Sequence, residues 1–228
     1  MNRYIRQCVK QASSIFNFGE PIIEFGSLQL SSDFDLRPFF VGKKFIGCDI
    51  FEGPGVDRIE DIHRTSFNDD SVGAVLCLET FEHISQPFLA ATEIYRILRS
   101  DGFCMISAPM RLGIHAHPSD YWRYTPKGFE TLLKDFGQVI TWYYGYTAFP
   151  DNVFALAWKT SGPQDLEAKL EEFAQRIQPS LWRRTRRWIR AYLIPEGVRG
   201  CWWRKKKWES FHEGTLNSKR WKINSINL

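Results

Sequence analysis

The chain has 228 residues, 43% of them hydrophobic and 25% charged, which gives enough apolar material for one good-sized core and excludes wholesale disorder. No apolar run approaches the roughly 20 residues of a membrane-spanning helix, and the opening stretch MNRYIRQCVKQASSIF has no apolar segment of the kind a signal peptide carries. The net charge of +4 is uneven: residues 181–207 hold ten Lys or Arg and one acid, Glu196, so that a mildly acidic body of 20 basic and 25 acidic residues carries a strongly basic tail.

In chain order, Tyr4, Ile5, Cys8, Val9, Ala12, Ile15 and Phe16 fall on one face of a helix. PIIEFG follows as a strand, and KKFIGCDI (43–50) is a second one that ends in Asp49. Residues 28–42 carry a weaker helical pattern that Pro38 interrupts. RIEDI (58–62) is a short third strand ending near Asp61, and VGAVLCLE (72–79) is apolar almost throughout, as a strand buried on both faces of a parallel sheet should be. Ser85 and Pro87 are a cap and a first-turn proline for a helix through Leu98, with Phe88, Ala91, Thr92, Tyr95 and Leu98 inward. Asp101-Gly102 predicts a turn into a fifth strand, FCMISAP. Thr125-Pro126 repeats the cap-then-proline signature before Phe129, Leu132, Leu133 and Phe136. QVITWYYG and NVFALAWKT are two consecutive antiparallel strands joined around Pro150-Asp151. Ser161-Gly162-Pro163 marks a boundary, and Leu166, Leu170, Phe173 and Ile177 form one more amphipathic helix. The five cysteines are scattered, with no C-x-x-C pair, and read as reduced intracellular thiols; Cys48, Cys77 and Cys104 sit in strand-like runs as small hydrophobes.

This alternation predicts an α/β fold: a Rossmann-like three-layer sandwich with a mostly parallel seven-stranded sheet, an antiparallel C-terminal hairpin and a helical basic extension. Residues 1–160 form the α/β domain and 161–228 the extension. In such sheets ligands bind outside the carboxyl ends of the strands, near the switch in strand order. The strand ends here are Gly26, Asp49, Asp61 and Glu79. Asp49 stands about 20 residues beyond Gly26, the spacing of an acid that accepts hydrogen bonds from a ribose. The pattern G-x-G-x-x-G is missing, which disfavours a pyrophosphate and suits a ligand with a ribose and no phosphates.

These residues resemble the class I S-adenosylmethionine (SAM)-dependent methyltransferases over roughly residues 20–160. IIEFGS, FIGCDIFEGPGVD, IEDIHRTSFNDDSVGAVLCLETFEHI, IYRILRSDGFCMISAP and HPSDYWRYTPKGFETLL carry the resemblance. GPGVD and HPSDYWRYTP look like a type 11-like branch often met among bacterial cell-surface glycan genes. The resemblance implies SAM as cofactor. It would place Glu24, Gly26 and Ser27 on the methionine side, Asp49 with Ile50 at the ribose, Asp61 and Ile62 beside the adenine, and Leu78-Glu79 closing the site. In-line placement of an acceptor beside an activated donor supplies much of methyl transfer, and a hydroxyl acceptor gains from a base titrating near neutrality. The candidate bases are His83 and His117, together with His115; Asp120, Tyr121 and Arg123 join His115 as candidate acceptor-binding residues. Equally, Tyr121 and Trp122 fit as core aromatics and Arg123 as an ion-pair partner. His115-x-His117 with Asp120 is a conceivable metal set, but no second His or Cys cluster supports it and no metal is expected.

The tail segment LWRRTRRWIRAYL has helical period, with Trp and Leu toward one side and Arg spread over the other, and CWWRKKKW follows. Three readings stay open: an anionic membrane surface or lipid-linked substrate, docking on the protein's own domain, and, with less weight, nucleic acid. The expectation is a cytoplasmic enzyme at the inner membrane face acting on oxygen of a glycan, lipid-linked or small-molecule acceptor. The alternatives are an RNA methyltransferase and a non-catalytic binding protein of the same fold.

Overall fold

A computed structural model describes residues 3–29, 31, 34–115, 118–146 and 148–177. Leu30, His117 and the basic segment 181–207 therefore lie outside the described residues. The elements are α1 (Arg3–Ile15), β1 (Ile22–Phe25), β2 (Phe45–Asp49), β3 (Arg58–Ile59), β4 (Val72–Leu78), α2 (Pro87–Ile97), β5 (Leu98–Pro109), α3 (Pro126–Leu132), β6 (Gln138–Tyr146), β7 (Phe149–Trp158) and α4 (Leu166–Ile177). They build one seven-stranded sheet in the order β3-β2-β1-β4-β5-β7-β6. The first five strands are parallel, and β7 runs antiparallel between β5 and β6. The expected Rossmann-like sandwich is present.

Side chains alternate across the sheet because successive residues of a strand point to opposite faces. In β4, Val75 and Cys77 join the core under α2 and α3, whereas Ala74, Leu76 and Leu78 join the core under α1 and α4. All seven residues of β4 are buried, and each large aliphatic among them stabilises by about 1.5–3 kcal/mol relative to exposure. The helical face predicted for α1 is the buried one. Helix α4 lies in the same layer: Phe173 meets Phe16 and Trp142 edge to face at 5.7 and 5.4 Å. Beyond Ser161-Gly162-Pro163, this helix thus closes the same face of the sheet as α1.

Several elements differ from their sequence patterns. In α2 the buried stripe is Pro87, Ala90, Ala91, Glu93, Ile94 and Ile97, and Phe88 is exposed. The helix is rotated from the predicted face because Glu93 turns inward to accept from the Thr65 backbone and hydroxyl, both at 2.7 Å. Its N-cap is Gln86, without a side-chain cap bond, rather than Ser85. Asp101-Gly102 lies inside β5, where the register with β4 shifts. Pro150 and Asp151 belong to β7. Between β1 and β2, Arg37–Phe39 forms a 3-10 turn with Pro38 at its start.

Strand order sets the site. The chain steps from β1 outward through β2 and β3, then returns to the other side of β1 for β4 and β5. The carboxyl ends of β1 and β4 therefore bound the switch point.

Candidate active site

Gly26 follows β1 with φ +78°, a conformation in which a side chain is strained. It is exposed. A Cβ there would meet Thr80 Oγ1 at 2.2 Å, so the turn after β1 and the turn after β4 touch. The next residue, Ser27, is buried, and its hydroxyl has no hydrogen-bond partner among the described residues. The carboxylate of Asp49, at the end of β2, ties this turn to its own: the Leu28 N–H donates to Oδ2 at 3.2 Å and the Phe51 N–H to Oδ1 at 3.1 Å. A carboxylate has about four lone-pair sites, so two such bonds leave capacity for ribose hydroxyls.

The segment FEGPGVD packs on the same turn. The Gln29 N–H donates to Pro54 O at 2.8 Å, and a Cβ on Gly53 would meet Leu28 Cδ1 at 2.4 Å. Leu28 thus packs the turn. Beside Asp49, Ile50 and Phe51 are about half exposed, a flat apolar surface suited to a base. Phe51 had no role in the sequence pattern, although a large aromatic two residues after a strand-end acid is a signal for one. Asp61 Oδ1 accepts from the His63 N–H at 2.9 Å and faces His63 Nδ1 at 2.6 Å. Ile62 is buried in the core on the α2 side. Glu24 lies within β1 and is buried; burial pushes its carboxyl up to about 8, against the pull of the Arg37 guanidinium.

Glu79 leaves β4 with φ +54°, the left-handed region, which is uncommon for a residue other than glycine and collects at functional sites. Its carboxylate accepts from Ser107 Oγ at 2.9 Å and from Asn152 Nδ2 at 2.9 and 3.1 Å. Burial raises its pKa, and the bonds from Ser107 and Asn152 oppose the rise. Ser107 and Asn152 were not singled out as site residues. Ser107 stands as a polar residue in the apolar run FCMISAP, which was the available signal; Asn152 gives none, since its contact with Glu79 arises from the β5–β7 pairing.

The turn Phe81–His83 and the loop after β5 are stitched together. The backbone N–H groups of Tyr121 and Trp122 donate to Glu82 O at 2.7 and 3.3 Å. Trp122 Nε1 donates to Ile84 O at 2.9 Å, Tyr124 Oη to Phe81 O at 3.2 Å, and His83 Nδ1 to Ser119 O at 2.6 Å. A carbonyl only accepts, so Nδ1 of His83 carries the proton and Nε2 the lone pair of the neutral ring. The His83 and His115 rings meet edge to face, 4.9 Å between centroids. Asp120 Oδ2 accepts from the His115 backbone N–H at 2.9 Å and from Arg123 Nη2 at 2.7 Å. The Arg123 guanidinium, with that backbone bond, holds the Asp120 carboxyl well below the usual carboxylate range. Arg123 also reaches the carbonyls of Leu112 and Gly113, so it orders the loop. Tyr121 and Trp122 are both substantially exposed, not core aromatics. Glu82, which the sequence pattern left without a role, is buried, and burial together with the Glu79 charge pushes its carboxyl up to about 9.

Two groups of predicted residues are thereby brought to one edge of the sheet. Gly26, Ser27, Asp49, Ile50 and Leu78-Glu79 surround the switch point, and His83, His115, Asp120, Tyr121 and Arg123 share the two loops beyond β4 and β5. Asp61 lies past the end of β3, beyond β2 from the switch point. Among the described residues no helix is long and apolar enough to cross a membrane.

Residues 42–106, from just before β2 into β5, match the family described as "Methyltransferase domain". No curated protein matches the sequence. The YcgJ protein from Bacillus subtilis is 10% identical, with 70% of this chain and 100% of that one covered at a TM-score of 0.54. The CMeT domain of the citrinin polyketide synthase is 13% identical, with 62% of this chain and 46% of that one covered at 0.50. A SAM-dependent methyltransferase of Thermotoga maritima is 16% identical, with 69% of this chain and 90% of that one covered at 0.48. The described residues have a Rossmann-like methyltransferase fold, and the methyltransferase-domain match takes in β2, β3 and β4 and most of β5.

Proposed function

We propose that this protein is a SAM-dependent methyltransferase that methylates oxygen on a glycan, lipid-linked or small-molecule acceptor. The observation that carries the reading is the register of Gly26, Asp49 and Glu79 at the ends of β1, β2 and β4, with Asp49 and Glu79 inside the methyltransferase-domain match and Gly26 ahead of it. The residues fit the cofactor. Gly26 presents an exposed backbone without a Cβ, the buried Ser27 hydroxyl is an unsatisfied partner for a polar group, and Asp49 keeps lone pairs for a ribose. Ile50 and Phe51 offer the adenine an apolar surface, with Asp61 and Ile62 beyond it. Glu24 lies behind the methionine side.

Bound SAM supplies a methyl group on a sulfonium, already activated for transfer. The chain's own task is then to place an acceptor oxygen in line and to deal with its proton. The acceptor would seat against His83 and His115, with Tyr121 and Trp122 as exposed faces for sugar C–H groups. The resemblance of HPSDYWRYTP to enzymes met among glycan genes supports a carbohydrate. The Arg- and Trp-rich composition of residues 181–207 supports work at an anionic inner membrane face.

The experiment is transfer of radiolabelled methyl from SAM to three acceptor pools: glycans and lipid-linked glycans, small phenolic and hydroxy compounds, and RNA. Label in an alkali-stable ether of the first or second pool is the expected result. Label in RNA, lost on truncation after residue 180 and falling steeply with salt, would replace the acceptor reading. No transfer to any pool, together with no cofactor binding, would leave a non-catalytic protein.

A further inference from the structure

We propose that Glu82, His83 and His115 form a binding site for a first-row divalent transition ion, of which Zn²⁺ and Mn²⁺ are the probes. One ligand atom from each of the three residues lies within 4.8 Å of the other two. The residues come from two segments, the turn after β4 and the loop after β5, which the hydrogen bonds across Glu82, Ile84 and Ser119 hold together. His83 Nε2 stands 3.7 Å from Glu82 Oε1. Coordination bonds of about 2.0–2.2 Å would bring tetrahedral ligand atoms to about 3.4 Å from one another, a side-chain adjustment of about an ångström.

Two further observations point to a cation. Glu82 is 1% exposed, and its Oε2 has no hydrogen-bond partner among the described residues; a buried carboxylate so poorly met is costly, and a cation held by that carboxylate would offset the cost. Both imidazoles also have outer partners on Nδ1. That of His83 donates to Ser119 O, and that of His115 lies 3.1 Å from Gly113 O and 3.2 Å from Asp120 Oδ2. This arrangement orients metal-ligating histidines and turns Nε2 toward the ion. Asp120 is fixed in turn by Arg123, which completes an outer layer behind His115. The sequence led to the expectation of no metal and offered His115, His117 and Asp120 only as a conceivable set; in the structure Asp120 stands behind His115, bonded to its backbone N–H.

Two imidazoles and one carboxylate suit Zn²⁺, Mn²⁺ or Fe²⁺ better than Mg²⁺, which takes oxygen ligands. Three protein ligands leave a coordination position open. Here the proposal deepens the methyl-transfer reading: an acceptor hydroxyl at that position would have its pKa lowered, and His83 would be a ligand rather than the proton acceptor. Ion binding itself does not rest on that reading.

The test uses the full chain, stripped by chelator and titrated calorimetrically with Zn²⁺, Mn²⁺ and Mg²⁺, with S-adenosylhomocysteine titrated into the same sample. One equivalent of Zn²⁺ or Mn²⁺ is expected, with Mg²⁺ weaker. Glu82→Gln and His115→Ala should each weaken the ion at least tenfold while keeping the thermal transition. Wild-type protein loaded with Co²⁺ should show visible absorption of a His-ligated centre, a readout independent of whether either variant folds. No Zn²⁺ or Mn²⁺ binding by wild type, no such absorption, or unchanged affinity in both variants would overturn the site. S-adenosylhomocysteine binding without ion binding overturns the site alone; ion binding without S-adenosylhomocysteine binding overturns the methyl-transfer reading alone.

Discussion

Gly26 and Thr80 abut across the switch in strand order: a Cβ on Gly26 would stand 2.2 Å from Thr80 Oγ1 and 3.2 Å from Thr80 Cβ. The contact joins the two turns that would hold the methionine end of the cofactor. Gly26→Ala has to displace Thr80 and to hold φ +78° with a side chain. The expected result is a loss of about 1–3 kcal/mol of stability in denaturant titration and at least a tenfold loss of S-adenosylhomocysteine affinity. Wild-type values for both would contradict the close approach.

Asp49 ties the same turn to the end of β2, where the proposed ribose would lie. Its two backbone bonds, from Leu28 and Phe51, mean that Asp49→Ala loosens the turn as well as removing the ribose acceptor. A hydrogen bond to a charged group contributes about 1.5–3 kcal/mol, so affinity for S-adenosylhomocysteine should fall at least tenfold by calorimetry. Unchanged affinity would remove Asp49 from the ribose.

The buried Glu24 predicts a pH dependence. Its carboxyl is pushed from 4.5 to about 8 by burial, so between those values the folded state holds a proton that the unfolded state has released. Stability from this group is complete below about pH 4 and is lost as pH rises through about 8, at no more than about 1.4 kcal/mol per pH unit. Urea midpoints from pH 5 to 8 should therefore fall less steeply for Glu24→Gln than for wild type. Parallel profiles would show that Glu24 is not held protonated.

Thr125 caps α3: its hydroxyl accepts from the Gly128 N–H at 3.0 Å. With seven residues, α3 has few bonds of its own. Thr125→Ala should cost about 1 kcal/mol, or about 2–4 °C in melting temperature for a chain of this size. Because α3 packs Phe129 and Leu132 into the core, the effect should appear in the global transition. Wild-type stability would mean that the cap bond contributes nothing.

Local chemistry made the frame legible. VGAVLCL reads as a strand buried on both faces because parallel strands carry helices above and below, and Thr125-Pro126 reads as a helix start because cap and proline act locally. What arises from packing between distant segments was not legible. PFLAATEIYRI has apolar residues on more than one side, and the contact of Glu93 with Thr65 selects which side is buried. The hairpin was evident, but its insertion with β7 against β5 follows from sheet order, and that order brings Asn152 to Glu79. The strand-end positions of Gly26, Asp49 and Glu79 were legible because each closes or directly follows its own strand. The grouping of Glu82 and His83 with His115 depends on a loop 32 residues downstream of His83 folding back onto the turn, and spacing alone does not reveal it.

The central claim is tested most directly by calorimetric titration of S-adenosylhomocysteine into the full chain. The account predicts saturable one-to-one binding and a rise in melting temperature in the presence of the ligand. No heat and no thermal shift would contradict it.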